Sequence, residues 1–168
     1  MSQKRRWGTR VVHAGLPKAE QGRPFVDGPT FASTFHLSGT TDSAEHQYGR
    51  FSNPTWLALE SGLSELEGGD TVIFPSGMAA AAAIMSSLVV SGETIVLPAD
   101  GYFATRAYAQ EFLQPNGIKV DLVRTSELLA HDYSKVRLVL IETPSNPLLD
   151  VVDIKALATK VHALIIES

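Results

Sequence analysis

The sequence contains no cysteine. Disulfides, thiolate metal sites and a cysteine nucleophile are therefore excluded within these residues. No stretch approaches the roughly 18 uninterrupted apolar residues that a membrane span requires, and the start is not followed by an apolar run of the signal-peptide kind. Positive charge is also scarce: 14 Lys and Arg stand against 18 Asp and Glu, for a formal net charge of -4. The one basic cluster, Lys4-Arg5-Arg6 with Arg10, lies at the extreme start, so no broad cationic field exists to attract nucleic acid. A cytoplasmic location is expected, with neither nucleic acid nor membrane as partner. The histidines, His13, His36, His46, His131 and His162, show no metal-ligand spacing, and no metal site is expected.

What is present suits a folded, soluble chain. Hydrophobic residues make up 44% and charged residues 19% of 168 residues. A domain of that length buries roughly 70% of its unfolded surface, enough for a real core. Residues 1–53 carry turn signals at Gly15, Pro17, Gly22, Pro24, Gly28-Pro29 and Gly39, without a sustained period of 3.6 or 2. This part reads as an extended N-terminal arm that needs another surface, of this chain or a second subunit, to lie on. Residues 54–168 alternate regularly. A helix begins at Asn53-Pro54, a cap followed by a residue suited to the first turn, and stops at Gly68-Gly69. Strand Thr71 to Phe74, helix Gly77 to Val90, strand Thr94 to Leu97 and helix Ala104 to Leu113 follow. Then come strand Lys119 to Val123, a helical piece around Leu128, strand Arg137 to Ile141, helix Ile154 to Val161 and strand Ala163 to Ile166. Continuous apolar strands alternating with helices predict an α/β domain with a mostly parallel sheet covered on both faces.

Three predicted strand ends lead into loops that can carry chemistry. Phe74-Pro75-Ser76-Gly77-Met78-Ala79-Ala80 opens an Ala-rich helix, whose unpaired first amides and positive dipole end make a seat for phosphate. Ser76 reads equally as a plain helix cap. Pro98-Ala99-Asp100-Gly101-Tyr102 offers an aromatic hydroxyl, and Glu142-Thr143-Pro144-Ser145-Asn146-Pro147 an amide. Singly, Tyr102 is also a core-edge residue and Asn146 a turn former. Ligands of open α/β sheets sit outside the carboxyl ends of strands, so convergence of these loops is the argument for a site. Tyr48 and Arg50 bring a hydroxyl and a guanidinium suited to phosphate just ahead of the Asn53 cap, or else form a solvated arm. Arg106, near the start of the next helix, faces either solvent or a substrate carboxylate.

Together these segments resemble the cysteine/methionine metabolism (transsulfuration) family of pyridoxal-phosphate-dependent enzymes. The resemblance is carried by Thr9-Arg10-Val11-Val12-His13-Ala14-Gly15, Tyr48-Gly49-Arg50-Phe51-Ser52-Asn53-Pro54-Thr55, Phe74 to Ala80, and Glu142 to Pro147. It implies the fold type I architecture, pyridoxal 5'-phosphate as cofactor, and lysis or synthesis of a C–S bond. The implied substrates are amino acids of the cystathionine or homoserine ester type. It further implies that Ser76, Gly77 and Met78 hold the cofactor phosphate and that Tyr102 stacks on the pyridine ring as the candidate catalytic residue. Asn146 is implied to lie near the ring hydroxyl. Tyr48 and Arg50 are implied to reach the phosphate of a neighbouring subunit in a homo-oligomer.

Three departures qualify the resemblance. Gly49 stands where relatives usually have serine, and Tyr102-Phe103-Ala104-Thr105-Arg106 departs from the family's small residues after the tyrosine. The family's last strand here runs into Asp-Asn-Thr, followed by the lysine that holds the cofactor, whereas this sequence ends Ile166-Glu167-Ser168. The expectation is an amino-terminal part, inactive until a second polypeptide completes it. A non-catalytic interaction module derived from the family is the alternative.

Overall fold

The computed structural model describes residues 6–161 and the backbone of residues 164–167. Within the basic cluster, Lys4 and Arg5 lie outside the described residues, as do His162, Ala163 and Ser168. The chain divides into two compact units, Met1–Ile73 and Phe74–Ser168. No helix among the described residues is long and apolar enough to cross a membrane.

The first unit holds helix α1 (Trp7–His13) and helix α2 (Pro54–Glu67). The arm is thus not wholly extended. One turn signal at Gly15 was legible, but the two helical turns before it are too short to show a period. α2 starts as its sequence predicts: the Asn53 side-chain Oδ1 accepts from Thr55 N–H at 2.9 Å while its Nδ2 donates to Thr30 O at 3.0 Å. Gly68, at φ +76°, closes the helix in the left-handed conformation. The Arg10 guanidinium donates to the carbonyls of Glu65 and Leu66, neutralising the negative end of α2. Among the described residues of this unit no apolar side chain is buried; only Asn53 and Gly62 are.

Predicted strand Thr71 to Phe74 does not form. Its amides are taken instead by side chains of α2: Thr71 N–H donates to Ser64 Oγ at 2.9 Å and Ile73 N–H to Glu60 Oε1 at 3.0 Å. An apolar run becomes a strand only where a ladder accepts it, and here the donors are already spent.

The second unit contains helix α3 (Gly77–Leu88), strand β1 (Thr94–Pro98), helix α4 (Phe103–Tyr108), strand β2 (Lys119–Val123), strand β3 (Val136–Glu142), helix α5 (Ile154–Ala158) and strand β4 (Leu164–Glu167). α3 ends two residues before the predicted boundary because Val89 turns extended, as a β-branched residue readily does. α4 continues through a π turn, Ala109–Leu113, into a final tight turn closed at Gly117. α5 is shorter than predicted, and the piece near Leu128 is a single tight turn at Thr125–Glu127. All strand pairs are parallel, in the order β2-β1-β3-β4.

The two central strands are buried on both faces, with alternate residues feeding two separate cores. Ile95, Leu97, Leu138 and Leu140 pack with Ala81, Met85 and Val89 of α3 and with Ala109 and Leu113 of the π turn. Val96, Val139 and Ile141 pack on the other face with Leu128, Tyr133, Val152 and Leu157. Leu140 is 1% exposed, and Leu140→Ala is expected to cost about 2–5 kcal/mol in urea unfolding. Tyr133 is buried in the second core, its hydroxyl donating to Leu128 O at 2.6 Å. Burial disfavours the phenolate and raises its pKa above the ordinary value of 10.0. The raised folded pKa contributes stability that is fully present below pH 10 and is lost as pH climbs through the folded value. Thermal melts of wild type and Tyr133→Phe between neutral and strongly alkaline pH are expected to show a steeper alkaline loss in the wild type.

Candidate functional site

The topology locates the site before any side chain is considered. From β1 the chain passes through α4 on the first core's face to β2, whereas from β3 it passes through α5 on the opposite face to β4. β1 and β3 are neighbours whose onward connections diverge, which opens a crevice at their carboxyl ends. Tyr102 follows the end of β1, and Glu142 and Asn146 lie at and beyond the end of β3.

α3 presents its amino end to the same region, since the Thr105 hydroxyl in α4 approaches Met78 Sδ at 3.5 Å. Ser76 is the cap, extended at φ -161°, with Oγ accepting from Ala79 N–H at 3.1 Å. Its carbonyl accepts from Ala80 N–H at 3.1 Å. The capping reading of Ser76 therefore holds, and it leaves the amides of Gly77 and Met78 without a protein acceptor among the described residues. Gly77 is exposed, and a Cβ built there meets nothing within 4 Å. Two free amides at the positive end of a twelve-residue helix suit an oxyanion.

Tyr102 is 36% exposed, its ring edge-on to Phe103 with centroids 5.1 Å apart. Its backbone is fixed from β3: the Glu142 carboxylate accepts Tyr102 N–H at 2.5 Å. Gly101 is required beside it, because a Cβ would stand 2.5 Å from Pro98 Cγ and 3.1 Å from Glu142 Oε2. Asp100 faces the other way, its Oδ1 accepting from both the amide and the hydroxyl of Thr125 at 3.0 Å. Beyond β3, buried Ser145 organises the turn: its N–H donates to Asp150 O at 2.8 Å, its carbonyl accepts from Leu149 N–H at 2.8 Å, and its Oγ accepts from Asp150 N–H at 3.0 Å. Asn146 is exposed, and its side chain bonds none of the described residues, its own turn included. Arg106 has its Nε buried without an acceptor. A cleft of about 240 Å³ lies beside the crevice, lined by Ala99, Asp100, Arg124, Ser126, Leu148 and Asp150; none of the sequence-predicted residues lines it.

Tyr48 and Arg50 belong to the first unit and come together there. The guanidinium lies 4.9 Å from the Tyr48 ring centroid, and Arg50 has no carboxylate partner among the described residues. An antiparallel bridge between Thr34 and Tyr48 and the bond from Gly49 N–H to Ser33 O at 2.8 Å hold the pair. A Cβ at Gly49 would lie 3.0 Å from Ala32 O, which accounts for glycine at this position.

Sequence reasoning missed Glu142 as a support of Tyr102, and Thr105 as the link to Met78. The first left a trace: a carboxylate closes a strand that is otherwise apolar except for Arg137. The second left none, because it depends on where α3 and α4 meet.

Such a sheet, with two free helix-start amides and an aromatic residue near its switch point, defines a parallel α/β protein. Residues 8–167 match the model of the Cys/Met metabolism PLP-dependent enzyme family, and the chain belongs to that family. It is 43% identical over 162 residues to a Streptomyces coelicolor protein with the provisional name cystathionine gamma-lyase, covering 93% of this chain and 41% of that one. It is 36% identical over 156 residues to the cystathionine beta-lyase of Lactococcus lactis subsp. cremoris, covering 90% and 40%. The crystal structure of metB from Corynebacterium glutamicum superposes with a TM-score of 0.86 at 28% identity, covering 98% of this chain and 45% of that chain. The chain therefore spans about two fifths of the length of these curated relatives. Pyridoxal 5'-phosphate is the cofactor of the family.

Ser76→Ala is expected to cost about 1 kcal/mol through loss of the cap. Gly77→Ala, entering open space at a helical position, is expected to leave stability unchanged or slightly raised. Urea unfolding of the two variants checks both.

Proposed function

We propose that this chain forms the amino-terminal share of a pyridoxal-phosphate site in a C–S lyase or synthase of sulfur amino-acid metabolism, acting on a cystathionine or homoserine ester type substrate. The observation that carries the proposal is the pair of amides, Gly77 and Met78, left without a protein acceptor among the described residues at the start of α3, where Gly77 is exposed. In this reading they hold the cofactor phosphate, with Ser76 shaping the turn. Tyr102 supplies the platform for the ring and Asn146 an amide for its hydroxyl. Tyr48 and Arg50 supply a hydroxyl and an uncompensated cation to the phosphate of a neighbouring subunit. Residues 1–53 then serve as an arm to that subunit, and residues 54–168 as the cofactor-binding α/β part.

Bound there, the cofactor would supply an electron sink for charge developing at the substrate Cα. The chain's own residues bind and orient. None of the described lysines of the second unit offers an amine to the crevice: Lys119 and Lys135 lie at the opposite, amino ends of the strands, Lys155 is on α5, and Lys160 donates to Leu129 O. Turnover is therefore assigned to the chain together with a polypeptide that brings such a lysine.

Titration of the full chain with pyridoxal phosphate, followed by absorbance, tests the binding share. Gly77→Pro, which removes the amide N–H at a first helical position that accommodates proline, is expected to weaken binding by about tenfold or more, the scale of one charge-assisted hydrogen bond. Keto acid release from cystathionine is expected only when the completing polypeptide is added. Binding unaffected by Gly77→Pro refutes the phosphate seat, and absence of turnover after completion favours an interaction module over a split enzyme.

A further inference from the structure

We infer that Glu142 is the positioning residue for Tyr102: its carboxylate, at the end of β3, fixes the backbone from which the ring projects into the crevice. The inference rests on the cofactor reading only for what the ring is positioned against. Glu142 is 7% exposed, and no Lys, Arg or His among the described residues pairs with it. A buried carboxylate without a cation is costly unless hydrogen bonds to the ionised form offset the loss of water. Here the partner is the Tyr102 amide, 40 residues away in sequence and 2.5 Å distant. The approach is built in from both sides. Gly101 alone lets the loop lie against the carboxylate, and Pro98 closes the space behind it.

The bond spans the switch point, tying the end of β1 to the end of β3 where their connections diverge. The segment it holds is restrained on its far side as well, where Thr105 reaches Met78. Tyr102 is thus clamped between the strand that bears Asn146 beyond its end and the helix that bears the two free amides. A serine or aspartate at position 102 would cap α4 by accepting from amides of its first turn. Tyr102 makes no such bond, and Glu142 instead takes the N–H of Tyr102 itself, tying the loop to β3 while position 102 carries an aromatic side chain.

The test uses the full chain with Glu142→Gln, Glu142→Ala and Tyr102→Leu. Amide exchange and ring-proton shifts of Tyr102, read by NMR without cofactor, report the bond and the ring orientation set against Phe103. The wild-type amide is expected to be protected and shifted downfield. Protection is expected to fall by about tenfold in Glu142→Ala and by less in Glu142→Gln, which keeps an acceptor but loses the charge. The ring shifts are expected to move with it. Pyridoxal phosphate titrations then give a double-mutant cycle: Glu142→Gln and Tyr102→Leu, which removes the ring, are expected to couple, whereas Glu142→Gln and Gly77→Pro are expected to add. Unchanged Tyr102 exchange and ring shifts in Glu142→Gln and Glu142→Ala overturn the inference, and so does simple additivity of Glu142→Gln with Tyr102→Leu. Should Glu142→Ala fail to fold, Glu142→Gln alone decides by the same NMR signals. Failure of the wild type to bind pyridoxal phosphate overturns the cofactor reading, while the NMR result decides the role of Glu142 by itself.

Discussion

The structure depends on two parallel strands that cannot face water on either side. In β1 and β3 consecutive side chains enter opposite cores, Ile95 and Leu97 one way and Val96 the other, Leu138 and Leu140 one way and Val139 and Ile141 the other. Cover must therefore be supplied on both faces. α3 and α4 with its π turn supply one layer; the turn near Leu128, Tyr133 and α5 supply the other. Because the connections from neighbouring strands leave for opposite faces, the carboxyl ends of β1 and β3 are left with a crevice between diverging chains. The site is a consequence of how the core is covered.

Around that crevice the residues of the proposed site stand on hydrogen-bonded supports. The proposed anion seat is a helix start whose cap has taken the inner amides and left the outer two. Tyr102, the proposed platform, follows a strand end, and its amide is held from the neighbouring strand by a buried carboxylate. The turn bearing Asn146 is organised by a serine with no exposed surface. Each support is paired locally, so an incoming ligand meets donors already oriented, and little ordering remains to oppose binding.

The first unit follows a different logic. Its apolar side chains remain largely exposed, Phe25, Phe31 and Phe51 among them, and its order comes from hydrogen bonds: Asn53 to Thr30, Arg10 to the end of α2, Gly49 to Ser33. A segment with so little core of its own is suited to lie on another surface, in keeping with the proposal that Tyr48 and Arg50 serve a neighbouring subunit. Membership of the Cys/Met metabolism PLP-dependent enzyme family supplies the cofactor, and the coverage of two fifths of the relatives' length leaves the complete activity to the complete protein.

Much of this was legible in the order of residues. Asn53-Pro54 and Gly68 marked α2 because caps and left-handed stops act over one or two residues. The unbroken apolar runs of β1 and β3 announced strands buried on both faces, and with them a parallel sheet with ligand-bearing loops at one edge. Ser76, Gly77 and Met78 could be named because a cap and the amides it leaves free are set by local geometry. Only the tertiary structure decided which apolar runs became strands, since Thr71 to Phe74 has the composition of one but spends its amides on Ser64 and Glu60. It alone paired Tyr102 with Glu142 and Met78 with Thr105. Those contacts join residues 40 and 27 positions apart, and no local preference specifies them; they follow from the register of β1 beside β3 and the meeting of α3 with α4.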